Sequence, residues 1–141
     1  MTVPGVVLAV DVGTVRIGVA ASDPHRVLAS PVETVAAPGL PRVVELVRER
    51  AAVLVVVGLP TSLSGQAASA SAEMARAFAA ALAQELDVPV ELVDERLTTV
   101  AATAALRASG KRGRQARALV DQAAAVALLQ GVLDSRPPDR R

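Results

Sequence analysis

Carboxylates stand at three places in the sequence where packing alone gives no reason for them. The stretch "LVDERLTT" ends an apolar run with three consecutive charges, Asp94, Glu95 and Arg96. Asp11 lies inside the apolar stretch "LAVDVG", and Asp121 lies inside the helix-like segment "ALVDQAAAVALLQ". Because an unpaired carboxylate is costly to bury, each needs a cation, strong hydrogen-bond donors or exposure. Together they could hold a metal ion.

The predicted elements can bring these carboxylates together. Asp11 lies in the middle of the first strand, and "VDE" lies at the end of the fifth, and a parallel sheet can bring both to the same edge. Ala124, Ala125 and Leu128 follow Asp121 at helical spacing, so this side of the last helix faces the core. Small alanines there let the helix lie close to the sheet, and the Asp121 carboxylate could reach the strand ends.

Such a cluster, rich in oxygen and free of His and Cys, suits Mg²⁺ or Mn²⁺. Two ions about 4 Å apart would activate water and stabilise the leaving oxygen of a phosphodiester. Simpler interpretations compete with this one. The charges after Val93 can form a solvated strand end, and Asp121 can be a buried structural residue bonded to backbone amides.

Composition narrows the class of protein. The 141 residues predict one domain, over residues 1–134, and a disordered tail at 135–141. With 52% hydrophobic and 21% charged residues the chain is globular, and no apolar run is long enough for a membrane span. The sequence contains no cysteine, which excludes disulfides and cysteine-ligated zinc. The N-terminus lacks the pattern of a secretory signal, so we expect a cytoplasmic protein.

Positive charge is concentrated between two of the carboxylates, although the formal net charge is only +1. No acidic residue lies between Glu95 and Asp121, and the basic residues of this interval are Arg96, Arg107, Lys111, Arg112, Arg114 and Arg117. The interval can be a solvated face or a phosphate-binding surface. The chain has no Trp, no Tyr and one Phe, so any contact with nucleic acid must be mainly to phosphate.

Hydrophobic periodicity predicts the order of the elements. Three β-branched runs from Val6 to Val35 indicate an antiparallel meander. A helix from Leu40, the buried parallel strand "AVLVVVGLP", an Ala-rich helix, the strand "VPVELV", a short helix, the basic turn "GKRGR" and a long final helix follow. This order predicts an α/β fold, a five-stranded mixed sheet with helices on both faces.

Four segments in the same order resemble one known family. "LAVDVGTVRIGVAASD", "VVVGLPTSLSG", "DERLTT" and "VDQAAAVALLQGVL" are similar to the signature segments of the YqgF/RuvX family, bacterial Holliday junction resolvase-like proteins also described as pre-16S rRNA nucleases. The resemblance covers about residues 5–133 and implies the ribonuclease H-like fold. It also implies that Asp11, Glu95 and Asp121 form the catalytic, metal-binding site. The sequence departs from the family at Thr14 and Val15, where a charged pair is frequent.

The resemblance implies a two-metal endonuclease that matures the 5′ end of pre-16S rRNA, working as a monomer or homodimer, with ribosomal particles among its partners. Alternatives are a dimeric resolvase of four-way DNA, a kinase-like nucleotide-binding module and a non-catalytic nucleic-acid-binding protein. Substrate contacts are expected from Gly13, Arg16, Arg96, Lys111, Arg112, Arg114 and Arg117. Arg16 and Arg96 can instead form salt bridges that balance the carboxylates.

The sequence leaves one ligand undecided. In an extended strand Asp94 and Glu95 point to opposite faces, and hydrophobic alternation does not select between them. The extra methylene of Glu and the family pattern favour Glu95, so we expect Asp94 to have a supporting role.

Overall fold

The computed structural model describes residues 3–60, 66–95 and 113–136, with 66–69 and 113–121 described by their backbone alone. The elements in these ranges are β1 (Val7–Val12), β2 (Arg16–Ser22), β3 (Ala29–Ala36), α1 (Leu40–Glu49), β4 (Leu54–Leu59), α2 (Gln66–Glu85), β5 (Val90–Asp94) and α3 (Gly113–Ser135). None of the helices described is long and apolar enough to cross a membrane.

One five-stranded sheet runs through the protein in the order β3-β2-β1-β4-β5. The strands β1, β2 and β3 pair antiparallel, which confirms the predicted meander. The strand β4 pairs parallel with both β1 and β5, as its unbroken apolar sequence predicted. The carboxyl ends of β1, β4 and β5 therefore lie at the same edge of the sheet, with β4 between the other two.

Helices cover both faces of this sheet, as predicted. One face carries Val10, Val57 and their neighbours, and α1 and α2 pack on it through residues such as Val43 and Leu82. The opposite face packs against α3 through the residues Val7, Ala9, Ala20, Val56, Val93, Ala125, Leu128 and Leu129. We call this second surface the α3 face.

Polar contacts fix the position of α3 across the sheet. Near its middle, the side-chain amide of Gln122 donates a 2.9 Å hydrogen bond to the hydroxyl of Thr34 in β3. Two turns later, the side-chain oxygen of Gln130 accepts a 2.9 Å hydrogen bond from the backbone N–H of Ala29. Because the two glutamines contact opposite ends of β3, α3 runs antiparallel to that strand and its N-terminal half points toward the carboxyl end of β1.

The turn between β2 and β3 contacts the far end of α3, because the side-chain amide of Gln130 donates a 3.1 Å hydrogen bond to the Val27 carbonyl. The carboxylate of Asp23 accepts hydrogen bonds from the backbone N–H groups of Leu28, Val27 and His25. The bond from Leu28 is the largest of the effects that hold the pKa of Asp23 below its usual value. His25 is exposed at this turn.

Several predicted features lie outside the described residues. They are the loop that follows Pro60, Arg96 and the short helix after it, most of the basic turn, and residues 137–141.

The final helix begins at Gly113, two residues before its predicted start. At the other end Ser135 closes α3, and Arg136 donates a 2.6 Å hydrogen bond to the Glu91 carboxylate. These two residues of the predicted tail thus have defined places.

Candidate active site

Asp11 lies on the α3 face near the carboxyl end of β1. Val7 and Ala9 pack against α3, and side chains alternate along a strand, so Asp11 projects to the same face. The residue is half-buried, and in the antiparallel register it lies opposite Gly18 of β2. A carboxylate in the central strand thus has a glycine on one neighbouring strand.

Gly58 occupies the matching place on the other side of Asp11. The parallel register pairs Val10 with Val57, and one further residue along the strands brings Asp11 beside Gly58. Gly58 is buried, and it also pairs with Val93 of β5. A row across the α3 face therefore runs from Val93 through Gly58 and Asp11 to Gly18, and it contains a single carboxylate between two glycines.

The side chain of Glu95 enters this row from the end of β5. A Cβ built on Gly58 would lie 3.3 Å from the Cγ and 3.4 Å from the Oε1 of Glu95. The same Cβ would lie 3.1 Å from the Cδ2 of Leu128 on α3. The Glu95 carboxylate is therefore on the α3 face, over β4, on the strand directly beside Asp11.

Asp94 belongs to the opposite face. Val88 and Val90 pack against the core that α1 and α2 cover, whereas Val93 packs against α3. Alternation along β5 then directs Asp94 away from the α3 face. Hydrophobic alternation in the sequence could not distinguish the two carboxylates because it does not reveal which face α3 covers.

Gly13 has a structural reason for being a glycine. Its N–H donates a 2.9 Å hydrogen bond to the Arg16 carbonyl across the β1–β2 hairpin. A Cβ on Gly13 would lie 2.5 Å from that carbonyl oxygen, closer than real Cβ contacts. The expected approach of a ligand phosphate to Gly13 stays a prediction.

Arg16 begins β2 on the α3 face, one row beyond the pair of Asp11 and Gly18. Residues on this diagonal have Cβ atoms about 7 Å apart, within reach of a long side chain. Arg16 can therefore extend toward a phosphate near Asp11 or toward the carboxylates themselves.

Asp121 lies within α3, seven residues before Leu128 and therefore on a similar side of the helix. Its side chain is outside the described part, as are those of Arg114 and Arg117, which also lie in α3. Among the described residues, no three His, Cys, Asp or Glu side chains form a group that could hold a metal. At the carboxyl end of β1, β4 and β5, the α3 face carries the carboxylates of Asp11 and Glu95, whose hard oxygen atoms suit Mg²⁺ or Mn²⁺.

Two features of this region had not been singled out from the sequence. Gly58 lies inside the apolar run that predicts β4, where a glycine is a signal of close approach. The pair formed by Thr34 and Gln122 joins residues far apart in the chain, so no local pattern could indicate it.

Comparisons with known proteins show the family to which this chain belongs. A sequence profile of the RuvX family, described as "Holliday junction resolvase", matches residues 5–135. A relative from Nocardia farcinica is 54% identical, and the match covers 92% of this chain and 77% of the relative. A relative from Leifsonia xyli subsp. xyli is 52% identical, with coverage of 95% and 92%. Both are named "Putative pre-16S rRNA nuclease".

A solved structure supports the fold. The structure of T. thermophilus RuvC in complex with Holliday junction substrate superposes with a TM-score of 0.58 at 18% identity, covering 90% of this chain and 92% of that chain. RuvC has the ribonuclease H-like fold, so the similarity confirms the predicted fold. With the profile matched over nearly the whole sequence and relatives more than half identical, the chain belongs to the RuvX family.

Proposed function

We propose that this chain is a metal-dependent endonuclease of structured nucleic acid, in which Asp11, Glu95 and Asp121 hold the metal. The observation that carries the proposal is the path of the Glu95 side chain. It turns back over β4 onto the face where Asp11 lies, although the two residues come from strands that do not touch. The carboxylate of an ordinary surface glutamate would instead extend into water.

Each residue of the proposed site has a separate role. Asp11, from the central strand, and Glu95, from the strand end, supply oxygen ligands from one face, and Asp121 on α3 completes the set. When bound, Mg²⁺ or Mn²⁺ would supply an activated water and neutralise the departing oxygen. Arg16, one row from Asp11, can hold the scissile phosphate by charge-assisted hydrogen bonds.

Precursor ribosomal RNA is the substrate that the relatives favour, since both carry a name that refers to pre-16S rRNA. The family description and the RuvC complex favour a Holliday junction as the second candidate. A junction resolvase needs two symmetric sites and hence a homodimer, whereas an RNA-maturing enzyme can act as a monomer in contact with ribosomal particles. The family match favours either nuclease over a kinase-like module.

A cleavage assay with both substrates tests this proposal. Purified protein is incubated with 5′-extended pre-16S rRNA and with a synthetic four-way DNA junction, each with Mn²⁺, with Mg²⁺ and with a chelator. We expect discrete cleavage of the RNA that the chelator abolishes. Cleavage of the junction alone would make the protein a resolvase, and binding without cleavage of either would make it a non-catalytic binding protein.

Binding of nucleic acid should depend steeply on salt through the basic interval. Each phosphate contact contributes about 0.7 to 0.9 to the slope of log affinity against log salt concentration, because binding releases condensed counterions. We therefore expect the slope to fall by about 3 when four residues are replaced together by Ala, with loss of affinity at every salt concentration. They are Lys111, Arg112, Arg114 and Arg117.

A control removes positive charge from α1 and α2, which cover the face of the sheet opposite α3. Arg50, at the end of α1, and Arg76, on α2, are both exposed. The variant Arg50→Ala/Arg76→Ala should keep nearly the parent slope. If the variant lacking the four basic residues also keeps it, the interval is only a solvated face.

A further inference from the structure

The strand order creates a distance problem for the proposed site. Asp11 is in β1 and Glu95 follows β5, and β4 lies between these strands. Neighbouring strands are about 4.8 Å apart, so the two backbones are separated by roughly 10 Å. Two oxygens on one Mg²⁺ are at most about 4.2 Å apart, since each lies about 2.1 Å from the ion. A ligand from β5 must therefore cross over β4 to share an ion with Asp11.

The crossing point is Gly58. The Glu95 Cγ and Oε1 lie 3.3 and 3.4 Å from the position that a Gly58 Cβ would occupy. Such separations are at or below the lower limit of ordinary contacts between carbon and its neighbours. Any side chain at residue 58 would take part of the space through which Glu95 passes.

Backbone conformation does not explain this glycine. The φ angle of Gly58 lies outside the left-handed range, in contrast to those of Gly5 and Gly39, which are +99° and +63°. Gly58 continues β4 as a regular paired residue, a place where a β-branched residue would ordinarily be more stable. The absence of a side chain at residue 58 therefore needs a reason other than backbone conformation.

We propose that Gly58 is a positioning residue, which leaves open the space over β4 that the Glu95 side chain needs to reach Asp11. This inference rests on the proposed function and deepens it, because it says why a carboxylate from β5 can serve β1. It also explains the use of Glu, whose extra methylene extends the side chain across the intervening strand.

Packing against α3 is the competing explanation, since the Gly58 Cβ would also lie 3.1 Å from the Leu128 Cδ2. Double variants distinguish the two explanations. Truncation of Glu95 relieves one crowded contact, and truncation of Leu128 relieves the other.

The first test needs no metal. Melting temperatures in chelator are measured for Gly58→Ala, Glu95→Ala and the double variant. If the Glu95 side chain fills the space over Gly58, the added methyl group should lower the melting temperature less in the Glu95→Ala background than in the parent. Equal losses in both backgrounds would overturn the proposal.

The second test measures Mn²⁺ binding by titration calorimetry. We expect Gly58→Ala to weaken binding by about 10- to 100-fold, the usual effect of displacing a ligand through its surroundings. Leu128→Ala, which opens a cavity in a fully buried position, should lower the melting temperature and keep Mn²⁺ affinity. The double variant Gly58→Ala/Leu128→Ala should still bind weakly.

Recovery of parent affinity in that double variant would assign Gly58 to packing with Leu128 and overturn the proposal. Failure of the proposed function would give a different set of results. In that case the parent protein would neither bind Mn²⁺ nor cleave nucleic acid, while the metal-free coupling between Gly58 and Glu95 would persist and uphold the placement of Glu95.

Discussion

Replacement of Asp11 by Asn is expected to abolish metal-dependent cleavage without unfolding the protein. Asn has nearly the same shape as Asp but lacks the charge that a divalent cation requires. We expect activity to fall by roughly a thousandfold or more, at the upper end of losses seen when a group that stabilises transition-state charge is removed. The melting temperature in metal-free buffer should stay the same or rise slightly, because one charge leaves a repulsive carboxylate cluster.

Activity and melting temperature are measured on the same preparations. Asp121→Asn should behave like Asp11→Asn if it completes the ligand set from α3. Asp87→Asn is the matched control, because Asp87 is exposed between α2 and β5, at the start of β5 rather than its carboxyl end. Collapse of the Asp11→Asn variant in metal-free buffer would show that this carboxylate serves the fold instead.

Glu95→Gln should also lose cleavage on a similar scale, whereas Asp94→Asn should keep substantial activity. The Glu95 side chain lies over Gly58 on the face of Asp11, and alternation directs Asp94 to the face that α1 and α2 cover. A carboxylate on that face is separated from the proposed metal by the thickness of the sheet. We expect Asp94→Asn to change mainly stability.

Mn²⁺-dependent rates of the two variants, measured side by side at saturating metal, check this assignment. The pair is its own control, since each change removes one negative charge at the end of β5. An active Glu95→Gln beside an inactive Asp94→Asn would reverse the assignment of the ligand. Equal loss of rate in both variants would indicate that activity depends on the negative charge at the end of β5 and not on the face to which each carboxylate points.

The order and type of the elements could be derived from local sequence. The unbroken apolar run of β4 predicts a strand buried on both faces because no solvent-facing residue interrupts it. The three early strands predict a meander because the turns between them are short. Asp11 and Asp121 were recognisable because an acidic residue inside an apolar element contradicts the pattern around it.

The choice between Asp94 and Glu95 illustrates what local sequence leaves open. The period of two in a strand separates the residues into two faces but does not say which helix covers each face. Only the packing of α3 against Val93 and Val56 shows which face α3 covers, and therefore onto which face Glu95 projects. Likewise, the contact of Thr34 with Gln122 joins residues 88 apart in the chain, which no local rule can pair.

The sequence by itself determined the fold class, the family and two of the unusual carboxylates, because hydrophobic period and residue type act over a few neighbouring residues. Tertiary structure decided which strands meet, and therefore that Glu95 must cross β4 to approach Asp11. The role of Gly58 could not be derived from the sequence. The space left by its missing side chain matters only because the Glu95 side chain, from another strand, passes through it.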